Sequence, residues 1–172
     1  MSADDPGAEP VDVVDDDGRV VGVVTRREMR ARRLPHRSTY ILVFDRAGRL
    51  FVHLRTATKD LYPSHWDTCA GGVLTAGEAF DDGARRELLE ELGVDAPLER
   101  LFPFRWSDER TIVHGMVYRV VHEGLFRLQP EEIVSGGFLA LDAVAERAAW
   151  EPFTPDGLAV LAEYQRRFAG AP

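Results

Sequence analysis

Three glutamates near the middle of the chain have the type and spacing of a metal-binding acidic helix. The pattern predicts a helix from about Ala79 to Leu92, with Gly93 as its C-terminal stop. At roughly 100° per residue, Glu87 and Glu91 lie together on one side, and Glu90 lies a little further round. Clustered and partly buried carboxylates require a compensating cation. Hard oxygen ligands suit Mg²⁺, or Mn²⁺, which also bridges substrate phosphates.

The same helix has an apolar face and a less specific interpretation. Phe80, Ala84, Leu88 and Leu92 recur every four residues and form one stripe that packs against a core. Glutamate is a good helix former, and runs of charge usually lie on solvated faces. Taken alone, the helix therefore leaves a solvated acidic surface open as the alternative to a metal site.

The residues around the helix decide between the two interpretations. The segment GGVLTAGEAFDDGARRELLEELGV contains the pattern G-x5-E-x7-R-E-U-x-E-E-x-G-U, where U is a bulky aliphatic residue. Its defined positions are filled by Gly72, Glu78, Arg86, Glu87, Leu88, Glu90, Glu91, Gly93 and Val94. This segment resembles the Nudix box, and a match of that length at fixed spacing is far more specific than a single glycine-rich motif. The resemblance implies a Nudix fold, which is an α+β chain arranged as an α/β/α sandwich with a mixed β-sheet.

The resemblance also assigns roles. It implies that Glu87, Glu90 and Glu91 are the metal-binding and catalytic residues, and that the carbonyl of Gly71 is a further metal ligand. The implied activity is Mg²⁺-dependent attack of water on a diphosphate that links a nucleoside to another group X. Either Glu90 or Glu91 could act as the general base, and the sequence does not choose between them.

Four more residues of the box have structural roles in the family. Glu78 and Arg86 correspond to an ion pair that holds the loop against the helix. Gly72 belongs to the glycine loop whose backbone approaches the metal and the phosphates, and Gly93 ends the helix.

The segments before the box narrow the branch of the family. HRSTYILVF, RTATKD, YPSHWD and AGG resemble the isopentenyl-diphosphate-isomerase-like branch, and so does a hairpin at the N-terminus. By this resemblance Arg55 and Lys59 correspond to substrate-binding residues that hold the diphosphate. A planar guanidinium and a compact ammonium both suit phosphate oxygens. The alternative is that both are ordinary solvated side chains of a polar loop.

Departures from that branch argue against isomerisation. The catalytic cysteine of the isomerases falls at Gly71, and Cys69, two residues earlier, reads as a small buried residue. Of the metal-binding histidines of the isomerases, His36 matches one, whereas Met29 and Val73 stand at two others. We therefore expect an isomerase-like body that carries a hydrolase site. A non-catalytic sensor of a phosphorylated ligand is the alternative from another functional class, and the intact glutamate set argues against it.

Several polar and aromatic residues keep two interpretations. His36 is either a packing residue or a ligand. Asp108 and Glu109, in the polar segment SDER, are candidates for an extra base or metal ligand, with solvent exposure as the alternative. Phe102, Phe104 and Trp106 form either an aromatic wall for a base or part of the core.

The elements that must position these residues follow from hydrophobic periodicity and turn signals. Two hairpins are predicted, at Val11–Val14 with Val20–Thr25 and at Thr39–Asp45 with Leu50–Arg55. A short basic helix is predicted within 26–33, a loop over 56–67, strands within 111–121 and 136–142, and helices over Leu141–Ala149 and Pro155–Phe168.

Length, composition and charge limit the classes of function. The chain has 172 residues, which suits one domain over 11–172 after a disordered tail over 1–10. A formal net charge of −8 argues against nucleic acid as a partner, but not against a small-molecule diphosphate bound through a metal. The acidic start lacks the features of a signal peptide and no apolar run could span a membrane, so we expect a cytoplasmic protein with no membrane partner. A homodimer is compatible with the family resemblance, but no residue pattern identifies an interface.

Overall fold

The computed structural model describes residues 5–168, in which eight strands form one mixed sheet between helices. A 3-10 turn at Pro6–Ala8 precedes the first strand. The strands are β1 Pro10–Val14, β2 Val20–Thr25, β3 His36–Phe44, β4 Leu50–Arg55, β5 Trp66–Asp67, β6 Glu99–Ser107, β7 Ile112–Val121 and β8 Ile133–Leu139. The helices are α1 Arg26–Ala31, α2 Phe80–Leu92, α3 Leu141–Ala148 and α4 Pro155–Phe168.

Strand β3 is the centre of the sheet. Along one edge it pairs in parallel with β7, from His36 opposite Val113 to Phe44 opposite Val121. Its other edge is shared by three segments in turn: β1 at its start, the chain around 70–73 in its middle, and β4 at its end. Strands β6 and β7 are antiparallel, as are β4 and β8. The glycine loop is therefore built into the sheet and hydrogen-bonded to β3.

Alternation along β3 produces the two layers of core. Ile41 and Val43 face α2, in a buried cluster that includes Ala84, Leu88 and Leu92. Tyr40, Leu42 and Phe44 face the opposite side, in a cluster that includes Val144 of α3 and Val160 and Leu161 of α4. Successive strand residues point to opposite faces of a sheet, so a strand buried on both sides reads as a continuous apolar run. The chain is thus an α/β/α sandwich, as the sequence predicts.

A smaller apolar cluster attaches α1 to the rest of the molecule. It contains the buried side chains of Val11, Met29 and Val73, which come from β1, α1 and the glycine loop. Thr25 caps α1, since its hydroxyl accepts a hydrogen bond from the backbone N–H of Glu28 at 3.2 Å. The N-terminal elements are therefore fixed against the loop that precedes the acidic helix.

Most predicted elements are confirmed. The N-terminal hairpin, the basic helix and α2 are present, and Gly93 ends α2 in the left-handed conformation. The predicted hairpin of β3 and β4 is correct only at its base, because the two strands pair at Phe44 and Leu50 and then diverge. Strand β6 was not predicted. Of the tail expected over 1–10, residues 1–4 lie outside the described residues. No helix within residues 5–168 has the length and apolarity required to cross a membrane.

Candidate active site

The acidic helix and the glycine loop meet through a direct hydrogen bond. The backbone N–H of Gly71 donates to Oε2 of Glu91 at 2.9 Å. Glu91 is 5% exposed although its side chain ends in a carboxyl group, whereas Glu90, one residue earlier, has a side chain that is 52% exposed. The side chain of Glu87 lies between these extremes at 12%. The three glutamates therefore extend from the protein interior to solvent.

Two glycines permit the close approach of loop, sheet and helix. Gly71 has φ +122°, and a Cβ there would lie 2.4 Å from the carbonyl oxygen of Thr39. At Gly72 a Cβ would lie 2.9 Å from Oε1 of Glu87. A side chain at Gly71 is excluded by both backbone conformation and space. The cysteine that the isomerases carry at this position would therefore not fit here.

Arg86 connects Glu78 of the loop to two of the three glutamates of α2, Glu87 and Glu90. Its Nε and one terminal nitrogen donate to the two carboxylate oxygens of Glu78, at 2.8 and 2.9 Å. Its other terminal nitrogen donates to Glu87 at 2.9 Å and to Glu90 at 3.1 Å. Glu78 in turn accepts a hydrogen bond from the backbone N–H of Thr75 at 3.0 Å. A bidentate arginine–carboxylate pair of this kind fixes geometry as well as adding energy.

The buried carboxylates are not fully compensated by the protein's own cations. Burial raises the pKa of Glu91 to about 8, and the neighbouring charge of Glu87 adds to the rise. Burial also raises the pKa of Glu87, although Arg86 opposes that shift. Two carboxyl groups that resist ionisation in one place are the electrostatic situation that a bound cation relieves.

The carboxylate and carbonyl oxygens at this site suit a divalent cation, but they do not converge on a single point in this structure. The three glutamates line one cavity together with Gly71 and Gly72. The carbonyl of Gly71 accepts no hydrogen bond within the part of the chain that the structure describes. Over the same residues, no three His, Cys, Asp or Glu side chains are close enough to hold one ion. Arg86 holds Glu87 and Glu90, whereas Glu91 turns to the N–H of Gly71, so ion binding requires rearrangement of these contacts.

Arg55 and Lys59, the expected diphosphate-binding residues, are both engaged with acidic partners. Arg55 donates to Asp67 at 3.2 Å and to the carbonyl of Leu61 at 3.0 Å. Lys59 forms an ion pair with Glu132. Arg55 lines a cavity behind the glycine loop, whereas Lys59 also lines the cavity of the glutamates. Of the two side chains, Lys59 is thus the one beside the acidic helix.

Of the positions that correspond to the isomerase histidines and cysteine, only His36 keeps the residue type, and it does not line the cavity of the glutamates. Met29 and Val73 belong to the same small apolar cluster. His36 is 1% exposed and its Nδ1 lies 3.0 Å from the carbonyl of Leu34. Burial lowers the pKa of His36 to about 4, and the adjacent Arg30 contributes, so its ring is neutral. Cys69 is buried in the core, and burial raises the pKa of its thiol.

The segment after the box supplies structure rather than a further carboxylate for the cavity of the glutamates. Asp108 accepts hydrogen bonds from the hydroxyl of Tyr62 and from the indole N–H of Trp106. It also accepts two backbone N–H groups, which closes the turn between β6 and β7. Glu109 is exposed. Phe102 is buried in the core beside α4, with Phe104 and Trp106 packed against the same cluster, so the aromatic group is core.

Several residues of the cavity were not identified from the sequence. Arg26 of α1, Glu9 before β1, and Gln129 and Glu132 before β8 all line it. Of these residues, only Arg26 could have been noticed from the sequence. Arg26 and Arg30 are four residues apart, so they share one basic face of a short helix. The others come from loops that reach the site through long-range packing.

The chain is similar in sequence to a known family of proteins over most of its length. The model of the NUDIX domain matches residues 34–159. The uncharacterized Nudix hydrolase YfcD of Salmonella typhi is 40% identical over 162 residues, covering 94% of this chain and 87% of that protein. The uncharacterized Nudix hydrolase PA4841 of Pseudomonas aeruginosa is 40% identical over 158 residues, covering 91% and 94%.

Solved structures agree with this assignment. The crystal structure of DR0079 from Deinococcus radiodurans matches with a TM-score of 0.78 and 29% identity, covering 92% of this chain and 98% of that one. The NUDIX domain of NrtR from Shewanella oneidensis, complexed with ADP ribose, matches in fold with a TM-score of 0.64 and 16% identity, covering 84% and 99%. The chain therefore belongs to the Nudix hydrolase family of pyrophosphohydrolases.

Proposed function

We propose that this protein is a Mg²⁺-dependent hydrolase that cleaves the diphosphate of a nucleoside diphosphate linked to another group X. The observation that carries the proposal is the contact between Glu91 and the N–H of Gly71, in a cavity that Glu87 and Glu90 also line. The cytoplasmic location expected from the sequence remains part of this proposal.

Each residue has a role that its position supports. Glu87, Glu90, Glu91 and the carbonyl of Gly71 would hold Mg²⁺, which supplies charge neutralisation on the diphosphate and a lowered pKa of bound water. Glu78 and Arg86 keep the helix at a fixed distance from the loop. Glu90, half exposed and one residue from buried Glu91, has access to solvent for proton transfer. Lys59 lines the same cavity and would contact phosphate oxygens after releasing Glu132.

Mn²⁺ is the alternative ion, since it accepts the same oxygen ligands. The nucleoside diphosphate class is supported by the fold neighbour NrtR, whose structure holds ADP ribose. ADP ribose is therefore one compound to test, beside nucleotide sugars, dinucleotides and nucleoside triphosphates.

The test is a substrate panel with two glutamine variants. Purified protein in Mg²⁺ is assayed for products against the panel, with isopentenyl diphosphate included. Glu91→Gln should lower turnover by at least about 100-fold, because it removes a charge at the reacting centre. The matched control is Glu146→Gln, at an exposed position on α3 that is remote from the cavity, which should retain full activity.

The remaining outcomes each contradict the proposal. Binding of panel compounds without turnover would indicate a sensor of phosphorylated ligands. Double-bond migration in isopentenyl diphosphate would indicate an isomerase. It would contradict the inference that Gly71, standing in place of the catalytic cysteine, prevents isomerisation. Full turnover in EDTA would show that the glutamates act without a metal ion.

A further inference from the structure

Three cavities meet at two cationic side chains. The first, the glutamate cavity, is lined by Gly71, Gly72 and the three glutamates of α2. The second, the inner cavity, lies behind the glycine loop and is lined by Arg55, Asp67 and Asp156. The third, the outer groove, is lined by Arg27 and Glu131. Arg26 and Lys59 are common to all three.

The two sides of this junction differ in charge. The glutamate cavity carries five carboxylates against three cationic side chains. The inner cavity carries four cationic side chains against three carboxylates, and so does the outer groove. A diphosphate held by a cation on the acidic side would therefore extend its other oxygens toward a more positive region, where charge complementarity favours anions.

Arg26 differs from the neighbouring cationic side chains in how closely it contacts carboxylates. Its nearest carboxylate oxygens are those of Glu9 at 3.7 Å and Asp60 at 3.8 Å. Within residues 5–168 its guanidinium makes no side-chain hydrogen bond, and it is 22% exposed. By contrast Arg30 donates to Asp60 at 2.8 Å. Arg26 is thus a partly desolvated guanidinium with its donors still available.

The backbone of Arg26 is nevertheless held in place. Its N–H donates to the carbonyl of Glu9 at 2.8 Å, and Thr25 caps the helix that it begins. One turn later Met29 is buried against Val73, the residue that follows Gly72. Because the backbone is already fixed, only the side-chain rotamers of Arg26 remain to be ordered when a ligand binds, which lowers the entropy cost of binding.

We propose that Arg26 is a substrate-binding residue that grips the diphosphate from the side opposite the glutamates. This makes α1, and with it the N-terminal hairpin, part of the active site. The inference rests on the proposed function for the identity of its ligand as a diphosphate. Arginine suits this role because its planar fork contacts two phosphate oxygens at once.

The experiment uses methylenediphosphonate, a diphosphate analogue that is not hydrolysed. Its dissociation constant is measured by calorimetry, in Mg²⁺ and separately in EDTA, for the wild type and three variants. Arg26→Gln should weaken binding by at least about tenfold, the loss typical of a charge-assisted hydrogen bond, with Arg26→Lys intermediate. The matched control is Arg32→Gln, because Arg32 directly follows α1, lines none of the three cavities, is 62% exposed and pairs with Glu28. That control should bind like the wild type.

Kinetics supply the second readout. On a compound that the enzyme turns over, Arg26→Gln should raise KM by about tenfold and change kcat by less than about threefold, as loss of uniform binding does. Thermal unfolding of each variant checks that the fold is retained.

The failures of the two proposals are distinguishable. If the enzyme turns over a substrate but Arg26→Gln and Arg32→Gln behave alike, Arg26 is not a ligand and the hydrolase assignment stands. If nothing on the panel is turned over but analogue binding is lost only in Arg26→Gln, the binding role stands and the hydrolase assignment fails. No analogue binding by the wild type in either buffer overturns the inference.

Discussion

At the scale of single residues, Arg86 fixes the relative positions of three glutamates, because its guanidinium is hydrogen-bonded to all of them. It donates to both oxygens of Glu78 and also to Glu87 and Glu90. Without it, Glu78 loses its cationic partner and Glu87 remains in a largely buried place beside Glu91. The arginine therefore both holds the loop to α2 and limits repulsion within the acidic cluster.

We expect Arg86→Ala to lower the free energy of unfolding by about 2 kcal/mol, which is typical for loss of hydrogen bonds between charged groups. The control is Arg85→Ala, since Arg85 is 68% exposed and has only a 3.5 Å ion pair with Asp82. Its effect should stay within about 0.5 kcal/mol. Urea unfolding of both variants gives the comparison, and equal midpoints would show that Arg86 has no structural role.

Gly71 gives a second prediction at this scale. Gly71→Ala should destabilise the protein by more than about 2 kcal/mol, since strained backbone conformations alone cost about 1–3 kcal/mol in non-glycine residues. The new Cβ would also lie 2.4 Å from the carbonyl oxygen of Thr39. Gly22→Ala is the control, because a Cβ at Gly22 has no atom within 4 Å in the described residues. Thermal melts would contradict the prediction if the two variants unfolded together.

Local spacing predicts some residues of the site and misses others for a physical reason. The glutamates, Arg86 and Gly71 lie within about one helix and one loop, so periodicity places them together. Arg26 and Glu132 reach the same cavity from opposite ends of the chain. Their contribution depends on how α1 packs on Val73 and how β8 pairs with β4, and no short-range pattern encodes either contact.

At the scale of elements, the first turn of α4 packs closely against Asp67, the last residue of β5. Asp156 in its first turn accepts a hydrogen bond from the hydroxyl of Tyr40 at 3.1 Å. Gly157 allows close approach, since a Cβ there would lie 2.7 Å from Oδ1 of Asp67. Burial raises the pKa of Asp156 to about 6, and the charge of Asp67 adds to the rise. The helix is therefore held by a carboxyl group that takes up a proton at a higher pH than an exposed aspartate does.

This arrangement predicts a dependence of stability on pH. The folded pKa of Asp156 lies above its unfolded value of about 3.9, so its contribution is present below pH 4 and is lost as pH rises through 6. Asp156→Asn keeps an acceptor for Tyr40 and removes the charge. We expect the variant to be more stable than the wild type by about 1–2 kcal/mol at pH 8, and the difference to vanish near pH 4.

The control for this titration is Asp142→Asn, which changes an exposed first-turn carboxylate of α3. It should unfold like the wild type at both pH values. Denaturant unfolding at pH 4, 6 and 8 gives the measurement. A pH-independent difference for Asp156→Asn would mean that folding does not raise the pKa of Asp156.

Sequence patterns predicted the elements that have local signals, and they missed the strands that are defined by pairing with distant strands. Helix α2 has a four-residue apolar repeat and a terminal glycine, and both are visible without tertiary structure. Strand β6 was missed because it contains Pro103 and alternates irregularly, and its pairing with β7 is what makes it a strand. The pair β3 and β4 reads as a hairpin from its turn, yet β7 and β8 take most of the pairing.

At the scale of the whole molecule, the site lies at an interruption of the sheet. Between β1 and β4 the edge of β3 pairs with the glycine loop instead of a regular strand, through hydrogen bonds such as that from the N–H of Thr39 to the carbonyl of Gly72 at 2.9 Å. The loop therefore has the rigidity of a strand on one side and faces the glutamate cavity on the other. A rigid support of this kind keeps catalytic groups in position.

The same topology predicts how stability is distributed. Strand β3 is paired along both edges and almost fully buried, whereas β2 pairs with β1 alone among the described residues. Val20, Val21 and Val23 of β2 are more than half exposed. Edge strands with few buried contacts open at low free energy, and central strands open only near the global unfolding free energy. Amides of β3 and β7 should thus exchange at least about 100-fold more slowly than those of β2.

Hydrogen exchange followed by mass spectrometry, corrected for intrinsic rates, makes this measurement at two protein concentrations. If β2 exchanges fast at both, its outer edge is open to solvent and the sheet ends there. Protection of β2 equal to that of β3 would contradict the prediction. If that protection then fell on tenfold dilution, a second copy of the chain would be covering the exposed valines, because binding that stabilises an element by mass action weakens as the partner is diluted.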